Sequence, residues 1–140
     1  NLIIHGGIDD IWFDLKEKKL VVVEYKAQSS TYPITVSSYL STEWHLSYKL
    51  QMDIYVHILR KMNFEVSNLS YFYVCNGVKT NDKFDNKIDF TTTLIPYRVD
   101  TSWIEKKLSE MKDVLNSENV PEIEKSCEKC AYLKGGKVFF

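Results

Sequence analysis

The chain has 140 residues, 44% apolar and 14% aromatic, which is enough to bury a core and excludes wholesale disorder. Lysine plus arginine number 18 against 19 aspartate plus glutamate, and a net charge of −1 excludes a strongly basic nucleic-acid coat while allowing a local basic groove. No apolar run approaches the roughly 20 residues of a membrane span, and nothing resembles a signal peptide.

The odd count of 3 cysteines argues against a secreted disulfide scaffold and for a reducing, cytoplasmic setting. A single domain over residues 1–140 is expected. Because the chain opens on Asn1 rather than Met and runs straight into a strand-like stretch, it reads as an excised part of something longer.

Residues 2–13, rich in Ile with Gly6-Gly7 in the middle, suit a strand with a bulge. Residues 14–19 (DLKEKK) form a polar turn whose Lys16, Lys18 and Lys19 read as solvated, with phosphate contact as the functional alternative. Residues 20–25 (LVVVEY) are a β-branched run of the kind that fills a buried central strand, antiparallel to the first. Residues 28–41 read as a long loop. From Thr42 to Met62 the apolar period becomes helical, with Ser41 or Thr42 as the N-cap. Residues 69–75 (LSYFYVC) form a strand ending in an Asn76-Gly77 turn, and residues 88–97 form another behind Asp85 and Asn86. Residues 103–115 are an amphipathic helix capped by Thr101 or Ser102, and residues 116–140 an irregular tail. The order β-β-α-β-β-α predicts an α/β fold, a mixed sheet with helices against it.

The central strand carries the chemistry. At a period of two, Glu24 and Lys26 point to one face and Tyr25 to the other. Ionised groups closing an apolar strand are costly unless they line a polar site. The first strand of the hairpin brings Asp9 alongside, so two carboxylates and an amine converge. A divalent cation such as magnesium removes the repulsion between the carboxylates and prefers their hard oxygens. Those parts match phosphodiester hydrolysis: a cation held by Asp9 and Glu24 acidifies water, and Lys26 stabilises the charge that builds on the phosphate. The bland reading is a solvated strand end beside an Asp9-Asp10 turn.

Three motifs in order, Gly6-Gly7-Ile8-Asp9, Glu24-Tyr25-Lys26 and Gln51-Met52-Asp53-Ile54-Tyr55, resemble the PD-(D/E)XK nuclease superfamily. The resemblance is closest to its RecB-type exonuclease branch, which includes CRISPR-associated iron–sulfur exonucleases. It implies a restriction-endonuclease-like core and a magnesium- or manganese-dependent deoxyribonuclease. The implied substrate is single-stranded DNA ends, in repair, recombination or defence, with a helicase or other nuclease-complex partner. It further implies Asp9, Glu24 and the Tyr25 backbone carbonyl as metal ligands, Lys26 as the catalytic lysine, and Gln51 and Tyr55 as supporting or substrate-binding residues. Gln51 and Tyr55 are four apart on one helical face and reach the site together. The competing reading is a catalytically inactive nucleic-acid-binding or scaffold module of the same fold.

Two departures bear on that resemblance. The helix that usually precedes the first strand, with its Glu and often His ligand, has no counterpart in Asn1 to His5, the five residues before Gly6. His5 shares strand parity with Asp9 but lies about 13 Å along an ideal strand, so it approaches a metal only if the glycines bulge. Cys127-Glu128-Lys129-Cys130 resembles part of the iron–sulfur cysteine motif, but Gly136 stands where a further cysteine belongs and Cys75 reads as a buried core thiol. With one pair of a needed four, an iron–sulfur cluster is not expected. His45 is expected near the loop and His57 on another helical face, neither a catalytic base. Tyr32, Tyr39 and Trp44 flank the loop: exposed, they can stack on bases, and core packing is the equal alternative.

Overall fold

The computed structural model describes residues 2–80, 86–119, 121–123 and 127–136. The chain divides into two units, Asn1–Ile104 and Glu105–Phe140.

In the first unit β1 (Asp10–Asp14), β2 (Lys19–Gln28), β3 (Leu69–Gly77) and β4 (Phe90–Arg98) form one sheet in the order β1-β2-β3-β4. β1 and β2 are antiparallel, β2 and β3 parallel, β3 and β4 antiparallel, so the sheet is mixed as expected. A parallel pair cannot be joined by a tight turn. The crossover from β2 to β3 runs through α1 (Val36–Ser41), a 3₁₀ turn at Glu43–His45 and α2 (Leu46–Lys61). The LVVVE run occupies the centre because it can be buried on both faces: Val21, Val22 and Val23 are all buried.

The core lies on the face carrying Val22, Phe72, Val74 and Ile95, packed against Tyr39 of α1 and Met52, Tyr55, Val56 and Leu59 of α2. Asp53 is buried at the far side of α2, where it accepts from Tyr97 Oη at 3.0 Å, the Asp100 amide at 3.1 Å and Trp103 Nε1 at 3.1 Å. These bonds tie the helix to the end of β4. Burial pushes the Asp53 carboxyl above its ordinary range despite those three donors, which pull it down. The opposite sheet face carries Trp12, Tyr25, Leu69 and Leu94, each more than a third exposed. There Trp12 lies against Tyr71 and Tyr25 edge-on to Tyr73.

Several elements differ from the sequence reading. The first strand begins at Asp10, not residue 2, because side chains take over the backbone bonding there: Asp10 Oδ1 accepts the Ile11 amide and Asp9 Oδ2 the Tyr25 amide. The stretch read as a loop over 28–41 contains α1, closed by a reciprocal capping box of Thr35 and Ser38. Ser41 therefore sits inside α1, Thr42 precedes the 3₁₀ turn, and α2 starts later, behind His45. Asn76-Gly77 is not a turn. β3 runs through it, and the buried Asn76 side chain bonds the Ser30 amide and carbonyl. Cys75 is half-buried rather than a core thiol, since it alternates with buried Val74.

α3 (Ile104–Asn116) matches the amphipathic pattern and runs from the last residue of the first unit into the second. The stretch expected to be irregular contains α4 (Glu128–Gly136) in the second unit. Residues 120, 124–126 and 137–140 of that stretch, and Asp85 before β4, lie outside the described residues.

Candidate active site

β2 leaves the core at Glu24. The strand alternation that buries Val22 against α2 carries Glu24 and Lys26 to the same face, and α2 brings Gln51 and Tyr55 over them. Glu24 is 4% exposed. Its Oε1 accepts from Lys26 Nζ at 2.8 Å. Lys26 Nζ also donates to Gln51 Oε1 at 3.1 Å, and Gln51 Nε2 donates to Tyr55 Oη at 2.7 Å. One amide thus joins a phenol to an ammonium to a carboxylate, and its oxygen faces Lys26 because only an acceptor fits there.

Two further side chains complete this wall. Lys26 Nζ stands 4.4 Å from the centre of the Tyr48 ring, at cation–π distance. Tyr48, Gln51 and Tyr55 share a helical face at spacings of three and four, so periodicity alone could have added Tyr48 to the site. Tyr39 packs in the core, the alternative to base stacking, and its hydroxyl has no hydrogen-bond partner. Burial pushes that phenol well above its ordinary range, with the charges of Tyr48 and Glu24 adding to the effect. It was hidden by lying on α1, a helix too short for its periodicity to be read.

Asp9 lies one residue before β1, outside the paired register, and is exposed. Its Oδ2 accepts the Tyr25 amide at 2.9 Å. The N–H and C=O of a strand residue face the same neighbour, so the Tyr25 carbonyl also opens towards the end of β1. Asp10 belongs to the other face, where it accepts from Tyr25 Oη at 2.8 Å and Trp12 Nε1 at 2.9 Å. Gly6 shows why the segment before Asp9 needs glycine: a Cβ there would lie 2.5 Å from Tyr55 Cε1.

The donor set fits a hard divalent cation. Glu24 Oε2 is buried with no hydrogen-bond partner, and a carboxylate oxygen in that state is costly unless a cation or water meets it. Among the described residues no three His, Cys, Asp or Glu side chains gather as metal ligands. His5 is exposed and precedes the strand, so the parity argument linking it to Asp9 does not hold. His45 lies by the loop, with Nδ1 2.7 Å from the Tyr39 carbonyl and its ring against Tyr39 and Tyr48. Lys16 and Lys18 belong to the β1–β2 turn, closed by Asp14 Oδ1 accepting the Lys16 and Glu17 amides, and Lys19 opens β2.

Beyond Lys26 the same face leads into a cleft of about 240 Å³ lined by Gln28, Tyr32, Tyr39 and His45 among others. Tyr32 at its mouth is 79% exposed, and Trp44 of the 3₁₀ turn 85%.

A family model described as the PD-(D/E)XK nuclease superfamily matches residues 2–134. Neither the curated proteins nor the solved structures contain a match to the chain.

Proposed function

The chain belongs to the PD-(D/E)XK nuclease superfamily, whose members generally use divalent metals, and from that premise we propose that it is a magnesium- or manganese-dependent deoxyribonuclease acting on single-stranded ends. The observation that carries the proposal is Glu24: one oxygen is held by Lys26 and the other is buried and unpaired, while the Asp9 carboxylate is bonded to the amide of the next residue, Tyr25. Asp9, Glu24 and the Tyr25 carbonyl are the groups that would hold the cation. When bound, it supplies Lewis-acid charge that acidifies water and neutralises phosphate.

The remaining work falls to side chains. Lys26 spends two of its three N–H donors on Glu24 and Gln51 and directs the third at the attacking water or a phosphate oxygen. Gln51 and Tyr55 are positioning residues that keep Lys26 pointed inwards. The order of the G-G-I-D, E-Y-K and Q-x-x-x-Y motifs supports placement in the RecB-type branch. The cleft beyond Lys26 supports an unpaired strand, because the exposed Tyr32 that lines it offers a ring on which a base can stack.

The test is cleavage of end-labelled single-stranded and duplex DNA, and of the matching RNA, with magnesium or manganese. Asp9→Ala, Glu24→Ala and Lys26→Ala each abolish cleavage while the circular dichroism spectrum is kept. Full activity in any one of them refutes the assignment. A second reading, a binding or scaffold module without turnover, draws on the finding that no three His, Cys, Asp or Glu side chains gather as ligands among the described residues. Single-strand binding by a chain that neither takes up manganese nor cleaves would establish it.

A further inference from the structure

The second unit carries a pair of cysteines that the hydrolytic site does not use. Cys127 immediately precedes α4, and its carbonyl accepts the Ala131 amide at 3.0 Å. Its Sγ accepts the Cys130 amide at 3.3 Å, so the sulfur fills the place that a Ser or Asp oxygen fills at an N-cap. The Cys130 Sγ lies 2.8 Å from the Cys127 Sγ, both are free thiols, and both residues are partly exposed. Three residues of helical rise thus place two sulfurs side by side within reach of solvent.

The two thiols are not equivalent. Either can donate to the other, but backbone amides face Cys127. The hydrogen bond from the Cys130 side chain, then the Cys130 and Lys129 amides, hold the Cys127 thiol below its ordinary range. The bond to Cys127 and burial raise Cys130. The pair is therefore split into a nucleophile and a resolving thiol. Among the described residues no further His, Cys, Asp or Glu joins them to make a three-ligand metal group.

We propose that Cys127 and Cys130 are a redox-active dithiol that closes to an intrachain disulfide by exchange with a low-molecular-weight disulfide. Cys127 sulfur attacks one sulfur of the disulfide, forming a mixed disulfide and expelling one thiolate. Cys130, losing its proton, then attacks the Cys127 sulfur, breaking the mixed S–S bond and releasing the second thiolate. The two cysteines are oxidised by two electrons, and the small disulfide is reduced to two thiols that take up the two protons. Cys75, the third cysteine, lies in β3 of the first unit.

The experiment uses the full chain carrying Cys75→Ser, exposed to mixtures of reduced and oxidised glutathione, acid-quenched, alkylated and weighed by mass spectrometry. The expected product lacks two hydrogens, carries no glutathione and maps to Cys127–Cys130. Adding Cys130→Ser traps a glutathione adduct on Cys127. Adding Cys127→Ser leaves Cys130 reacting about tenfold more slowly. In denaturant the two single-cysteine chains react at equal rates, which ties the difference to the fold. Persistent adducts without closure, equal rates in the folded chains, or thiols that resist alkylation until a chelator removes a bound metal would each overturn the proposal.

Discussion

Glu24→Gln separates the burden of a buried charge from its use. Glu24 Oε1 pairs with Lys26 at 2.8 Å, and Oε2 has no hydrogen-bond partner. The amide keeps an oxygen for Lys26 and loses no bond at the second position, since none exists there. Breaking a buried ion pair costs about 3–5 kcal/mol when a charge is left unpaired, but here a hydrogen bond survives and a carboxylate desolvation penalty of several kcal/mol disappears. The two effects offset, so the metal-free variant should match the wild type to within about 1 kcal/mol.

Manganese then discriminates. At a hundredfold excess over its dissociation constant a cation that binds only the folded chain stabilises it by about 2.7 kcal/mol. For a chain of this length that raises Tm by roughly 10 °C. The wild type should show that rise in thermal denaturation and Glu24→Gln should show none, together with loss of cleavage. An equal manganese-induced rise in the variant would refute the role of Glu24, whatever happens to activity.

Lys26→Met should abolish cleavage yet retain the manganese-induced rise in Tm, because Lys26 is not a ligand; loss of the rise would show that it acts through Glu24 alone. Gln51→Ala should lower kcat by about tenfold to a hundredfold with little change in the manganese response, since it removes the acceptor that aims Lys26. Gly6→Ala should cost about 1–3 kcal/mol and reduce activity, because the new methyl meets the Tyr55 ring; unchanged denaturation and kinetics would show that the segment yields freely. Asp53→Ala should destabilise by about 2–4 kcal/mol in urea titration without altering metal binding, since it strands three donors on the far side of α2.

Local patterns carried much of this protein. The LVVVEYK run identified the buried strand and put Glu24 and Lys26 on one face, because pleating fixes a period of two whatever surrounds it. The three- and four-residue spacing of α2 aligned Gln51 and Tyr55 for the same reason. The tertiary structure alone decided the rest. Asp9 ends the ladder with its carboxylate, Asn76 bonds Ser30 across the sheet edge instead of turning the chain, and Tyr39 is buried by α1. Each depends on partners 16 to 46 residues away or on a helix set by a single capping box, and no short-range period records such meetings. The unpaired oxygen of Glu24 belongs to the same class: sequence can place a carboxylate at a strand end, but only packing removes its water.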